Sequence, residues 1–420
     1  MSEGDAPRRD GYIAVRKAEL IDALAGQGLG PDDARDFPDL CRMLAALLHH
    51  EAHERSEQLK ALYDPLDPDA PPPRRDASHA AFDAFESKMI EALVRANFTE
   101  VEADTVRTRD ATKLLTDLSI KPSSAGIRRI RFFGRGARQE TLPVRRWFGL
   151  RTQSVDAEVM SDVVVLVGFK AEDEIRGRDR AAFARMRRGV RPGAALVKHF
   201  RNVAAPELVT LHPGAQPSMR PRDQVLLAGP ALVAGTPVLL NLWPALTVLG
   251  AVIASYFTAG QVIDNEGLTR AVAALGGLVA LGAFVMRQRL KLEATTLRYH
   301  KRLADTVYFR NLANNQGVLD LIAGAGQEQD TKEAFLAYWA LRRAGRPLTK
   351  AEIDAAAETL LRERFGLNLN FDVHDALAKL ERIGIVAHDG ETYAAPATPD
   401  ALGRLDAAWD DLFKFSARRG

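Results

Sequence analysis

Hydrophobic positions change their period along this chain, and each change marks a different element. In the first seventy residues the clearest pattern is DLCRMLAALLHH (Asp39–His50), whose apolar spacing predicts helix. A proline-rich stretch follows, DPLDPDAPPPRR (Asp64–Arg75), which reads as a linker. Over about 78–97, Phe82, Phe85, Met89 and Leu93 share one face of an amphipathic helix. From Ile127 the pattern becomes short, β-branched or alternating runs: IRRIRFF, TLPVRRWF and DVVVLVGFK, which predict a small antiparallel sheet. A helix is expected again through Leu290–Asn315, broken by Asn314-Asn315-Gln316-Gly317, with another over about Gln327–Arg343. Residues 349–395 read helix, helix and a hairpin turning at Asp389-Gly390. That order predicts a winged-helix-like C-terminal module, and the whole reads as mainly α with a small antiparallel β-sheet (α+β).

The strongest hydropathy signal is a run without Asp, Glu, Lys, Arg or His between Asp223 and Asp264. Its first part, Val225–Pro237, is broken by Gly229-Pro230 and Pro237 and reads as a buried or interfacial lead-in. Two transmembrane helices are expected after it, at about 238–258 and 268–286, joined by a short linker into a hairpin. Arg220 and Arg222 precede the pair, and Arg287, Arg289 and Lys291 follow it, whereas Asp264 and Glu266 lie in the linker. The positive-inside rule then predicts a multi-pass protein of the cell (inner) membrane with both termini cytoplasmic. The alternative is a soluble protein with a buried helical hairpin. The resulting division is a helical N-terminal region and linker (1–76), an α+β domain (77–224), a membrane segment (225–288) and a helical, winged-helix-like domain (289–420).

Composition limits the membrane part to a minority of the chain: mean hydropathy is −0.16 and 27% of residues are charged. Net charge is only +2, but Lys121–Arg151 carries nine Lys/Arg against one acid. Candidate contacts to an anionic surface are Arg128, Arg129, Arg131, Arg135, Arg185, Arg187, Arg188, Arg287, Arg289 and Lys291. Cys41 is the only cysteine, which excludes an intramolecular disulfide. The N-terminus has no apolar core after its charges and does not read as a secretory signal. His49 and His53 stand four apart without completing a zincin motif, so a solvated helix end is the plainer reading. No phosphate loop, nucleophile elbow or dinucleotide fingerprint occurs, and no cofactor or metal is expected. One polar patch stands out as a candidate ligand site: Tyr299, Lys301, Tyr308, Arg310, Asn311, Asn314 and Asn315, with Asn311 and Asn315 on one helical face. The candidate recognition helix, Val373–Ile383, is not clearly basic, which disfavours nucleic acid.

Several segments together resemble a family of uncharacterised proteins, the group that includes the mitochondrial transmembrane protein 143 (domain of unknown function 3754). They include YDPLDPD (Tyr63–Asp69), RFFGRG (Arg131–Gly136), KHFRNVAAPELVTLHP (Lys198–Pro213), YHKRLADTVYFRNLANNQGVL (Tyr299–Leu319) and QDTKEAFLAYW (Gln329–Trp339). The resemblance implies a two-span membrane protein and no reaction. The expected function is a membrane-anchored scaffold or regulatory protein that binds a partner protein and anionic lipid. The alternatives are an oligomeric channel or transport component and a membrane-associated enzyme or ligand receptor.

Overall fold

The computed structural model describes residues 11–70, 79–101, 119–146, 151–185, 190–218 and 308–413, together with scattered positions between 247 and 301. Two long helices form its spine: α2 (Pro31–Tyr63), preceded by the short α1 (Lys17–Ala25), and α5 (Gln316–Ala344). In α2 the buried positions Phe37, Leu40, Cys41, Leu44, Leu47, Leu48, Leu59 and Tyr63 keep one stripe toward α5 along its length. The start of α2 packs with residues 334–341 of α5, and its end with Val318, Leu319 and Ile322. The two helices therefore run antiparallel.

Two apolar cores sit along this spine. One joins the beginning of α2, the end of α5 and the C-terminal elements β8 (Leu348–Thr349), α6 (Lys350–Phe365), α7 (Val373–Ile383), β9 (Ala387–Asp389), β10 (Thr392–Ala394) and α8 (Thr398–Asp410). Helix, strand, helix, helix and hairpin, with sheet order β8-β10-β9, is the arrangement of a winged helix, its first helix being the end of α5. The first residue of α8 has its N–H capped from outside: Asp33 of α2 accepts from Thr398 N at 2.8 Å and also pairs with Arg342 at 2.7 Å.

The other core lies where α3 (His79–Arg95) and the beginning of α5 meet a five-stranded antiparallel sheet. The strands are β1 (Thr99–Glu100), β3 (Ile127–Arg146), β4 (Arg151–Phe169), β5 (Ala195–Ala204) and β7 (Asn311–Asn314), in that order across the sheet. The strand β2 (Ser119–Pro122) instead pairs with β6 (Ala215–Ser218). A third cluster on the opposite face of the sheet includes Phe132, Val163, Val165, Phe200 and Leu208, beside the short α4 (Gly177–Arg185). IRRIRFF and TLPVRR, read separately in the sequence, are one continuous strand, whose register against β4 shifts between Ile127 and Arg129.

The transmembrane hairpin is corrected by this structure: among the described residues no helix is long and apolar enough to cross a membrane. The longest helices, α2 and α5, both carry buried or exposed charges, and their apolar residues pack into the two cores. Most of 238–258 and 268–286 lies outside the described residues; positions such as Val272, Val279 and Met286 are helical and exposed. The transmembrane part of the fold class, the multi-pass inner-membrane location, and the membrane-anchored scaffold, channel and membrane-enzyme functions are withdrawn on this finding.

At Gly168 the Phe82 ring of α3 lies where a Cβ would project. Gly168→Ala should therefore destabilise the protein by about 1–3 kcal/mol. Gly403, inside α8 with open space around it, should gain about 0.5–1 kcal/mol as Ala. Thermal denaturation of the two variants checks the contrast.

Candidate functional site

Between the two cores, α5 turns polar without leaving the interior. Gln327, Gln329, Asp330, Thr331, Lys332 and Glu333 are all buried. Buried charges and amides must be partnered or they cost several kcal/mol each. Here every one is partnered. Gln329 clamps the N-terminal segment at Ile13, accepting from its N–H at 3.0 Å and donating to its carbonyl at 3.3 Å. Lys332 donates to the same carbonyl at 3.0 Å and pairs with Glu328 at 2.8 Å. Burial pulls the Lys332 pKa down against that pairing.

The next turn faces α7. Lys379 Nζ donates to Asp330 Oδ1 at 2.6 Å, reaches Glu333 Oε2 at 3.4 Å and pairs closely with Asp375 one turn back on its own helix. The three carboxylates have ligand oxygens within 4.8 Å of one another, the donor set a hard divalent cation would use. The Lys379 ammonium already stands among them, offering one N–H to each. Burial opposes its charge, yet the carboxylates together hold its pKa above the ordinary value. Asn97, at φ 59° in the turn after α3, donates to Glu333 Oε1 at 3.2 Å and to Gly11 O at 3.0 Å. On the far side, Arg55 of α2 reaches Asp330 Oδ2 at 3.5 Å. Three carboxylates thus face two cations. Burial pushes the Glu333 carboxyl up to about 7, against the pull of Lys379 and Asn97.

Asp330 is also the floor of a cavity of about 250 Å³ between α2, α3 and α5. Arg55, Lys88, Arg95, Glu91, Ser56 and Gln327 also line it. Lys88 pairs with Glu91 at 2.7 Å; exposed Arg95 has no carboxylate partner among the described residues.

A second buried polar group lies on the sheet. Asp162 of β4 accepts from Arg135 Nε of β3 at 3.0 Å and contacts His199 Nε2 of β5 at 2.9 Å. Arg135 lies over both Tyr12 and Phe98, its guanidinium carbon 4.4 and 4.5 Å from the ring centroids, and donates to Ala96 O at 3.0 Å. Burial raises the Asp162 pKa, but His199 and Arg135 more than offset it and hold the carboxyl low. His199 Nδ1 is buried with no hydrogen-bond partner among the described residues.

The ligand patch expected from sequence is not gathered on a helix. Asn311 and Asn314 lie on strand β7, so Asn311 and Asn315 do not share a helical face. Asn315, at φ 51°, precedes α5 and joins Val197 of β5, through its N–H at 2.7 Å, to Asp69 at 2.6 Å. Arg310 pairs with Glu207; Tyr308 and Lys301 are exposed, and Tyr299 lies outside the described residues. Of the basic candidates, Arg128 pairs with Asp83 at 3.4 Å, Arg129 with Glu86, and Arg131 with Glu86 at 3.2 Å, while Arg135 is buried. Arg287 and Arg289 are exposed helical positions, Arg289 pairing with Glu293 at 3.3 Å. Arg185 ends α4; Arg187, Arg188 and Lys291 lie outside the described residues. Sequence reasoning missed the Asp330–Glu333–Lys379 group. Its one signal was the spacing of Asp330 and Glu333, which puts two acids on the same face of a helix that then runs apolar through AFLAYWAL.

Glu333 has a folded pKa above its unfolded value of 4.5, so the fold favours its neutral form. That contribution is complete below about pH 4.5 and is lost as pH rises through about 7. Glu333→Gln should therefore leave thermal stability near wild type at pH 5 and raise it at pH 8. Lys379→Met leaves the carboxylates uncompensated and should cost about 3–5 kcal/mol at pH 8, with a smaller loss at pH 5. Denaturant unfolding at both pH values checks both.

No curated protein and no solved structure matches the chain. Residues 160–317 match a family model described as "Protein of unknown function (DUF3754)". The match takes in Asp162, His199 and β7 and ends just inside α5, before the Asp330 cluster. Over that segment the chain is similar to the DUF3754 family, whose description names no activity.

Proposed function

We propose that this protein binds a small anionic molecule in the cavity between α2, α3 and α5, and that occupancy is felt by the C-terminal winged-helix-like module. The observation that carries this reading is the double engagement of Asp330. One oxygen faces Arg55 at the cavity wall, and the other holds Lys379 of α7. Arg55 and Arg95 offer guanidinium forks suited to a phosphate or carboxylate, and Lys88 adds a point charge. A volume of about 250 Å³ suits a ligand with few heavy atoms.

An anion that takes hydrogen bonds from Arg55 competes with Asp330 for them. Asp330 then leans its charge wholly on Lys379, so the load on the α5–α7 contact changes with occupancy. The exposed side of α7 supports a ligand reading over nucleic acid: it presents His374, Ala378 and Arg382, and Arg382 is held by Glu51 at 2.8 Å.

The test is calorimetric titration with sulfate, pyrophosphate and citrate, each against chloride at matched ionic strength. Wild type should bind at least one of them. Arg95→Ala should weaken binding about tenfold or more, the usual effect of losing a charge-assisted hydrogen bond. No binding by any of the anions, or equal binding by Arg95→Ala, overturns the proposal.

A further inference from the structure

We infer that the cavity takes up a proton together with its anion, the proton residing on Glu333. This rests on the anion-binding reading above and adds its regulation.

The inference comes from a line of contacts: Arg55, Asp330, Lys379, Glu333. The groups facing Glu333 come from four directions. Its own helix supplies Asp330 and Gln329. Helix α7 supplies Lys379 and Asp375, with Arg382 farther along. The turn after α3 supplies Asn97, and α2 supplies Arg55 behind Asp330. Of the buried carboxylates on α5, Asp330 has the shorter contact to Lys379, 2.6 Å, and Arg55 besides. Glu333 has the longer contact, 3.4 Å, and among the described residues its other partner is the neutral amide of Asn97. A proton added to this group is therefore held most readily by Glu333.

With Arg55 turned toward Asp330, two cations serve the three carboxylates, and Arg55 is shared besides with Glu51 at 3.7 Å. When a bound anion draws the guanidinium away, Lys379 is left to serve all three in a buried setting. Excess negative charge there is costly, and a proton on Glu333 relieves it. By reciprocity, protonated Glu333 frees Arg55 for the ligand, so anion affinity rises as pH falls through neutrality. One pKa unit of coupling corresponds to about a tenfold change in affinity.

Sulfate is the right probe because it does not itself titrate near pH 7. Its binding is measured by calorimetry at pH 7 in two buffers of different ionisation enthalpy, and its affinity is compared at pH 6 and pH 8. Wild type should take up a fraction of a proton per sulfate and bind several-fold to about tenfold more tightly at pH 6. Glu333→Gln should bind sulfate with no buffer-dependent heat and no pH dependence. A wild-type measurement guards against loss of fold in the variant: carboxyl carbon NMR with labelled glutamate should show one side chain whose titration midpoint moves up with sulfate. Sulfate bound without proton uptake, or uptake unchanged in Glu333→Gln, overturns the inference and leaves anion binding standing. Failure to bind sulfate at either pH overturns the inference; failure to bind pyrophosphate and citrate as well overturns both.

Discussion

A lysine ammonium buried among three carboxylates is the constraint around which this molecule is arranged. Lys379 comes from α7, two of its partners from α5, and neither side could be buried without the other. The contact does not add stability cheaply. Every group is satisfied in the register that α7 takes against α5.

That fixed register explains why two cores can share one pair of helices. The antiparallel α2 and α5 present apolar surface at both ends and polar surface in between. The polar band separates the winged-helix-like packing from the sheet packing, and the cavity opens at this band, where side chains are least able to fill space. The cavity is thus a by-product of joining two cores through a polar waist.

Local patterns were readable from sequence where one element decides its own fate. The face formed by Phe82, Phe85, Met89 and Leu93 is buried, and Asn314-Asn315 precede the start of α5. The α+β class and the order of the C-terminal elements were also visible in the spacing of apolar residues. What stayed hidden depended on distant partners. Lys379 and Asp330 are far apart in sequence, and each alone looks like a solvated charge on a helix. Arg135 belonged to a block whose positive charge suggested an outer surface, yet Asp162 and two aromatic rings enclose it. The transmembrane expectation erred differently: it inferred an environment from lack of charge, and no described helix has the length and apolarity to match.

The grip of Gln329 and Lys332 on Ile13 has a consequence for synthesis on the ribosome. The first described residues can be seated only after more than three hundred later ones have emerged. Until then the apolar stripe of α2 lacks the helix that covers it. A nascent chain of this design is exposed for most of its translation, which makes shielding by a chaperone, or a late and abrupt collapse once α5 is released, part of how the fold is reached.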